Sequence, residues 1–364
     1  MRTTTLGRTG LHASVLGFGT NRIGGVIKED EQEAARVMNY ALDRGVNLIS
    51  AGYQEVNEFI GRRMAGRRDE CILTSKATGK GSRTYEVMMK GIEDHLKVLH
   101  TDHLDIFEVS MIRDLDDLAQ TMGPGGAVEA MEKAREQGKI LHVGITSHRA
   151  DVAAAAVRTG RVDNVLVVYN LINPYATEDL MPWAHEQDVG VMAMRPLSHG
   201  ALCPVDRAFE YLWANGIHVA VSGMLSVEEV DENVRVAERE PDPERHAQVL
   251  KEAANIQVNG CRMCGLCSCA KGVPIQLLLQ LWNYRKMRPL CTSAERGWQK
   301  YVNSASFCDG CGECELQCPY GVPIVKEMHA IAQTAREQGW DQPPPEHLQE
   351  MYRKAHEQGT HTNH

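Results

Sequence analysis

Over its first 240 residues the chain alternates short β-branched apolar runs with longer stretches whose apolar positions recur every three to four residues. The short runs predict strands at Val15–Thr20, Val46–Ser50, Cys71–Lys76, Asp105–Ser110, Ile140–Thr146, Val165–Tyr169, Gly190–Met194 and His218–Val221. The longer ones predict helices such as Glu31–Asp43, Tyr85–Leu99, Ala127–Glu136 and Val227–Ala237, with Gly45, Gly138 and Gly160 where helices should stop. Arg2–Thr5 and His12–Ser14 read as a leading hairpin around Arg8–Gly10. Eight strands each followed by a helix predict an α/β fold, a (β/α)8 TIM barrel. A doubly wound sheet is the alternative, but GFGTNRIGG is a poor version of its glycine fingerprint. In a barrel, chemistry gathers at the C-terminal ends of the strands. That singles out Gly19–Arg22, Ser50–Tyr53, Lys76, Ser110–Arg113, Thr146–His148, Tyr169–Asn170, Arg195 and Ser222–Gly223.

The pattern changes after Glu240. PDPER opens a charged helix over roughly Pro243–Asn255, and two cysteine-rich stretches follow, separated by the amphipathic IQLLLQLWNYRKM. The expected organisation is a barrel over 1–240, a small, mainly α-helical, cysteine-rich domain over 241–340, and a polar, loosely held tail over 341–364. The tail's histidines are read as solvated rather than as metal ligands.

Charge and composition narrow the partners. A formal net charge of -9 argues against a nucleic-acid partner. No apolar run approaches the roughly 20 residues that cross a bilayer. The N-terminal stretch lacks a charged segment followed by an apolar one and a small-residue cleavage site. A cytoplasmic protein without a membrane partner is expected. Eleven cysteines suit that compartment when they are mostly metal ligands rather than disulfides.

Those cysteines carry the most specific chemistry. CRMCGLCSCAKGVPI (Cys261–Ile275) and CDGCGECELQCPYGVPI (Cys308–Ile324) form a degenerate repeat, each with C-x2-C-G-x-C and each ending in GVPI. Three thiolates within seven residues wrap one corner of a [4Fe–4S] cube, and a remote fourth cysteine usually serves the other cube. The expected sets are Cys261, Cys264, Cys267 and Cys318 for one cluster, and Cys308, Cys311, Cys314 and Cys269 for the other. Cys269 follows its triplet more closely than usual and no proline follows it, so Cys291 is an alternative fourth ligand, as is a [3Fe–4S] cluster. A structural zinc site is the competing reading. Zinc ligands come as separated C-x2-C pairs, which packed triplets followed by Cys-Pro do not resemble. Cys71 and Cys203 are read as small buried thiols.

LGRTGLHASVLGFGTNRIGG, RGVNLIS, NEFIGRRM, ILTSKA, GKILHVGITSH, VVYNLINP, GVMAMRPLSHGAL and VSGMLSVEEVDENV resemble, in order, the opening and successive strand ends of the aldo/keto reductase family over about residues 1–238. The C-terminal region resembles the two-cluster ferredoxin-like extension of a subgroup of that family. The resemblance implies a (β/α)8 barrel and carbonyl-type redox chemistry with a nicotinamide cofactor, NAD(H) or NADP(H).

The family's site uses a tyrosine as proton donor, a lysine oriented by an aspartate, and a histidine that orients the carbonyl. An alkoxide forming at neutral pH needs such a nearby acid. The resemblance places Lys76 at the lysine and Tyr53 at the tyrosine, with a one-residue adjustment of the spacing to Asn57–Glu58. The aspartate's position reads Ser50 and the histidine's reads Ser110, so Lys76 is expected to lack an anionic partner. His148 is a candidate to replace the histidine from another strand. The family's Ser-Asn pair and Gln at the nicotinamide amide read Thr146-Ser147 and Leu166. The loop after the eighth strand carries Glu228 and Glu229 but no cation for a 2′-phosphate, although backbone N–H groups over Ser222–Leu225 could serve a pyrophosphate. Thr146, Ser147, Asn170, Arg195, Ser222 and Gly223 form the candidate cofactor-binding set, with Arg195 for a phosphate or an anionic substrate. A packed histidine and a salt-bridged arginine are the plain alternatives for His148 and Arg195.

Three functions follow. The first is an iron–sulfur oxidoreductase that relays electrons between a small-molecule substrate at the barrel mouth and a redox partner protein such as a ferredoxin or flavoprotein. The second is an electron-transfer subunit with a catalytically retired barrel. The third is a nicotinamide-dependent carbonyl reductase with structural clusters, which the missing aspartate and histidine disfavour.

Overall fold

The structure, a computed structural model, describes residues 1–52, 54–77, 80–198, 200, 202, 204–256, 258–286, 301–340 and 346–357. Its strands are β1 (Thr3–Thr5), β2 (His12–Ser14), β3 (Leu16–Gly19), β4 (Leu48–Ser50), β5 (Ile72–Ala77), β6 (Leu104–Val109), β7 (Ile140–Ser147), β8 (Asn164–Val168), β9 (Gly190–Met194) and β10 (Val219–Ser222). The helices between and after them are α1 (Ile23–Glu29), α2 (Glu31–Asp43), α3 (Gln54–Arg63), α4 (Tyr85–Val98), α5 (Leu115–Met122), α6 (Ala127–Glu136), α7 (Ala150–Val157), α8 (Ala176–Asp179), α9 (Met181–Glu186), α10 (Val205–Ala214), α11 (Val227–Ala237) and α12 (Pro243–Ala253). Strands β3 to β10 close into an eight-stranded parallel barrel in chain order, with β10 paired to β3. The predicted strands all appear, shifted at their ends by one or two residues. The doubly wound alternative falls, because its sheet would have two open edges.

Helix boundaries follow local chemistry. Asp30 precedes α2 in an extended conformation, and its carboxylate accepts from the N–H groups of Gln32 (2.9 Å) and Glu33 (3.1 Å). Ser226 caps α11 in the same way through Glu229 N–H.

Period-two alternation places Ile72, Thr74 and Lys76 of β5 and Ile106 and Glu108 of β6 towards the barrel interior. Ile72 and Ile106 join Leu48, Leu166, Met192, Val219 and Val221 in its apolar core. Leu6 and Ala13 complete that core from the leading hairpin, in which β1 and β2 pair antiparallel. Leu6 lies against the start of β9: a Cβ on Gly190 would sit 2.7 Å from Leu6 Cγ. The hairpin therefore closes the N-terminal end, and the C-terminal ends of the strands remain for chemistry.

The chain divides into two compact units, Met1–His199 with Val205–Ala253, and Gly200–Pro204 with Ala254–His364. The boundary at 253/254 differs from the expected one at 240/241, because α12 belongs to the barrel unit. Glu210 of α10 bridges to Arg245 (3.2 Å) and His246 (3.0 Å), and Arg207 bridges to Glu252 (3.1 Å). The second unit contains α13 (Ile275–Lys286), α14 (Glu313–Leu316), α15 (Ile324–Glu337) and α16 (Glu346–Glu357). The last of these is a helix inside the segment expected to be a loosely held tail. Among the described residues no helix is long and apolar enough to cross a membrane.

Candidate functional site

Lys76 lies near the C-terminal end of β5 and is 8% exposed. Its Nζ donates to the backbone oxygen of Ala51 (2.7 Å) and to Ser50 Oγ (3.0 Å). Ser50, at the position where the family's aspartate is expected, is thus a neutral partner. The expectation that Lys76 lacks an anion is corrected from the next strand. Glu108 Oε2 is 3.6 Å from Lys76 Nζ, and the two residues are register partners across β5 and β6. Glu108 is fully buried and neither carboxylate oxygen accepts a hydrogen bond. Burial pushes its carboxyl up to about 7, with Lys76 pulling the other way. Sequence reasoning missed Glu108, although a charged residue inside an apolar strand run was a visible signal.

The other mouth residues are largely occupied. Thr146 Oγ1 accepts from Met111 N–H (2.7 Å). Ser147 Oγ donates to the Ile112 carbonyl (2.6 Å) and accepts from Arg149 N–H (3.0 Å). These two hydroxyls hold the loop after β6, in which Met111 adopts a left-handed φ of 56°. Asn170 donates to the Arg195 carbonyl (2.9 Å) and accepts from the N–H groups of Ile172 and Asn173. Arg195 is itself left-handed at φ 56°. Such conformations cluster at functional sites. Ser222 Oγ accepts from Asn233 Nδ2 (3.0 Å), and Gly223 lies against the stem of Arg22. His148 is buried at the end of β7, 6% exposed. Leu225 N–H donates to Glu229 Oε2 (2.8 Å), so one of the N–H groups expected to serve a pyrophosphate already holds a carboxylate. Leu166 belongs to the barrel core. Tyr53 lies outside the described residues, as do Cys203 and Cys291.

The profile of the aldo/keto reductase family matches residues 15–211, more than half of the chain. The chain belongs to the aldo/keto reductase family. It is accordingly an enzyme of the oxidoreductase type. It is 25% identical over 217 residues to aldo-keto reductase YhdN of Bacillus subtilis, covering 56% of this chain and 64% of that one. To L-galactose dehydrogenase of Arabidopsis thaliana it is 27% identical over 214 residues, covering 54% and 66%. The chain therefore spans about two thirds of the length of these relatives. Among solved structures, the holo form of aldo-keto reductase AKR11C1 from Bacillus halodurans superposes with a TM-score of 0.61 at 22% identity, covering 70% of this chain and 96% of that one. An aldo/keto reductase from Klebsiella pneumoniae in complex with NADP and acetate gives 0.58 at 22% identity, covering 69% and 95%. At that identity the likeness is one of fold.

The family match ends before the cysteine cassettes, whose geometry stands alone. Asn259 donates its backbone N–H to Asn283 Oδ1 (3.0 Å) and its side-chain amide to the Leu279 carbonyl (2.8 Å), fixing the first cassette's entry on α13. Ser268 N–H donates to Gln317 Oε1 (2.9 Å), and Lys271 pairs with Asp309. These contacts tie the cassettes together. Cys261, Cys264, Cys267 and Cys318 line one cavity of about 290 Å3, part of it open to solvent, with Leu279, Tyr320, Val322 and Ile324. Cys267 interacts electrostatically with Cys261, Cys264 and Cys318, and also with Cys314. Cys314 interacts with Cys269, Cys308 and Cys311. Cys318 of the second cassette thus lies with the first cassette's triplet, and Cys269 of the first lies near Cys314 of the second.

Burial and neighbouring thiols push Cys261 up to about 12 and Cys314 up to about 11. Among the described residues no cysteine forms a disulfide, and no three His, Cys, Asp or Glu side chains close around a single metal ion. Four sulfurs converging from two cassettes, beside Leu279, Val322 and Ile324 and the polar Arg262 and Gln276, form a donor set of the kind that holds an iron–sulfur cluster.

Proposed function

We propose that the protein is an iron–sulfur oxidoreductase of the aldo/keto reductase type, acting on a small organic carbonyl or alcohol at the barrel mouth. Its ferredoxin-like second unit carries two [4Fe–4S] clusters, held by Cys261, Cys264, Cys267 and Cys318 and by Cys308, Cys311, Cys314 and Cys269. The observation that carries this reading is the cavity walled by three thiols of the first cassette and Cys318 of the second. When bound, the clusters supply one-electron exchange with a redox partner protein such as a ferredoxin or flavoprotein. The cysteines hold and insulate them, with Leu279, Val322 and Ile324 excluding water on one side. At the barrel mouth Lys76 holds positive charge beside Ser50; Tyr53 is the proposed proton donor and His148 the proposed carbonyl-orienting group. A nicotinamide, NAD(H) or NADP(H), is the proposed hydride carrier, since a Klebsiella pneumoniae protein of this fold is described in complex with NADP.

A second reading has its own support. Ser147 and Asn170 have committed their side chains internally, and Leu225 N–H is taken by Glu229. These losses favour an electron-transfer subunit with a retired barrel. Anaerobic purification followed by iron and sulfide determination tests the clusters, and equimolar zinc in place of iron overturns them. Bleaching of cluster absorbance by NADH or NADPH supports the enzyme. Reduction by ferredoxin alone, with no response to either nicotinamide, selects the second reading.

A further inference from the structure

We propose that Glu108 is the positioning residue for Lys76, holding its ammonium at the barrel mouth from the neighbouring strand. An ammonium carries three N–H donors. Two of them are spent on Ala51 O and Ser50 Oγ, and the remaining side of Nζ faces Glu108 at 3.6 Å. The carboxylate sits in a place made for it. Gly144 is its register partner on β7, and a Cβ there would stand 2.9 Å from Glu108 Cγ. Any other residue at 144 would compete with the Glu108 side chain for that volume. Among the described residues Lys76 is the one titratable group that bears on Glu108; β7 contributes Gly144 there.

A carboxylate without hydrogen bonds in a barrel interior costs several kcal/mol relative to an apolar side chain unless a cation compensates it. Packing therefore gives no reason for a glutamate here, and the lysine does. When Glu108 is ionised, the pair is neutral and Lys76 stays anchored between β4 and β6. When Glu108 takes a proton from solvent, the ammonium keeps its two neutral partners and loses its counter-charge. The burial that lifts the Glu108 carboxyl to about 7 puts this change near neutrality.

The inference rests on the oxidoreductase reading only where activity is concerned, so its test has two arms. In pH-difference infrared spectra of the full chain, the carbonyl band of a protonated buried carboxyl grows as pH falls through about 7. It is missing in Glu108→Gln. In Lys76→Met its midpoint moves up by about one pH unit or more, a tenfold or greater gain in proton affinity. An unchanged spectrum in Glu108→Gln overturns the inference, as does an unmoved midpoint in Lys76→Met, which keeps the test open should Glu108→Gln fail to fold. In the second arm, turnover of a small aldehyde with NADPH or reduced ferredoxin is followed against pH. Glu108→Gln should lose the limb near neutrality and at least tenfold in kcat with KM little changed, while Glu108→Asp keeps a displaced limb. A profile identical to wild type in Glu108→Gln overturns the inference. A wild-type protein that turns over nothing defeats the oxidoreductase reading instead, and the infrared arm still decides Glu108.

Discussion

Replacing Arg83 by methionine should loosen the barrel mouth by a measurable and reversible amount. Arg83 follows β5, and its guanidinium grips Asp117 in the first turn of α5 at two points, Nε to Oδ1 (2.6 Å) and Nη2 to Oδ2 (2.9 Å). Both side chains are buried, 5% and 4% exposed. Nη2 also donates to the carbonyl of Met111 (2.9 Å), the left-handed residue next to Ser110. Methionine fills similar space but leaves a buried carboxylate without its main cation. Breaking such a pair from one side costs roughly 3–5 kcal/mol. The lower end applies here, because Asp117 keeps Arg113 N–H (3.0 Å) and Arg113 Nε (3.3 Å). A loss of about 3 kcal/mol is roughly a hundredfold rise in opening. Hydrogen exchange by mass spectrometry over residues 104–122 reads it directly. Arg83→Met with Asp117→Leu removes both charges and should recover most of the loss, since an apolar pair of similar volume is often no worse than a buried ion pair. Burial raises the Asp117 carboxyl, but its bonds to Arg83 and to Arg113 N–H outweigh that and hold it below the ordinary carboxylate range. The stabilisation is therefore present at neutral pH and lost as pH falls through the depressed native value. Arg83→Met should flatten that acid limb. Unchanged exchange in the single variant, or a double variant as loose as the single, would refute the clamp.

Gly144→Ala should lower the barrel's melting temperature through a loss of about 1–3 kcal/mol, because its Cβ would meet Glu108 Cγ at 2.9 Å and Ile106 Cγ2 at 3.0 Å; an unchanged melting curve would mean that Glu108 lies elsewhere. Cys318→Ser should remove about half of the iron and acid-labile sulfide, and Cys269→Ser the other half, under the crossed assignment. Quantification of both after anaerobic purification decides it, and equal loss of everything in each variant would point to a single shared centre. Asp30→Ala should cost α2 about 1 kcal/mol by leaving the N–H groups of Gln32 and Glu33 uncapped, visible as a lower denaturation midpoint, whereas Asp30→Asn should recover most of it.

Much of this protein was open to reading from residue pattern alone. Helices α2, α6 and α11 run as the periodicity placed them, and the hairpin that closes the barrel floor follows from its Arg8–Gly10 turn. The two cysteine cassettes and their repeated spacing were legible too. Lys76 was identifiable as a charge near a strand end. Its partner was not, and neither was the occupation of Leu225 N–H by Glu229. Period two says which side of a strand a residue faces, not what stands opposite it. Local pattern determined the elements, their order and the chemistry each could carry. Only barrel closure decided which strand lay beside β5 in which register, and so set Glu108 beside Lys76 with Gly144 leaving room for it. Those distances depend on strand register and on side chains more than thirty residues apart, and no local stretch contains them.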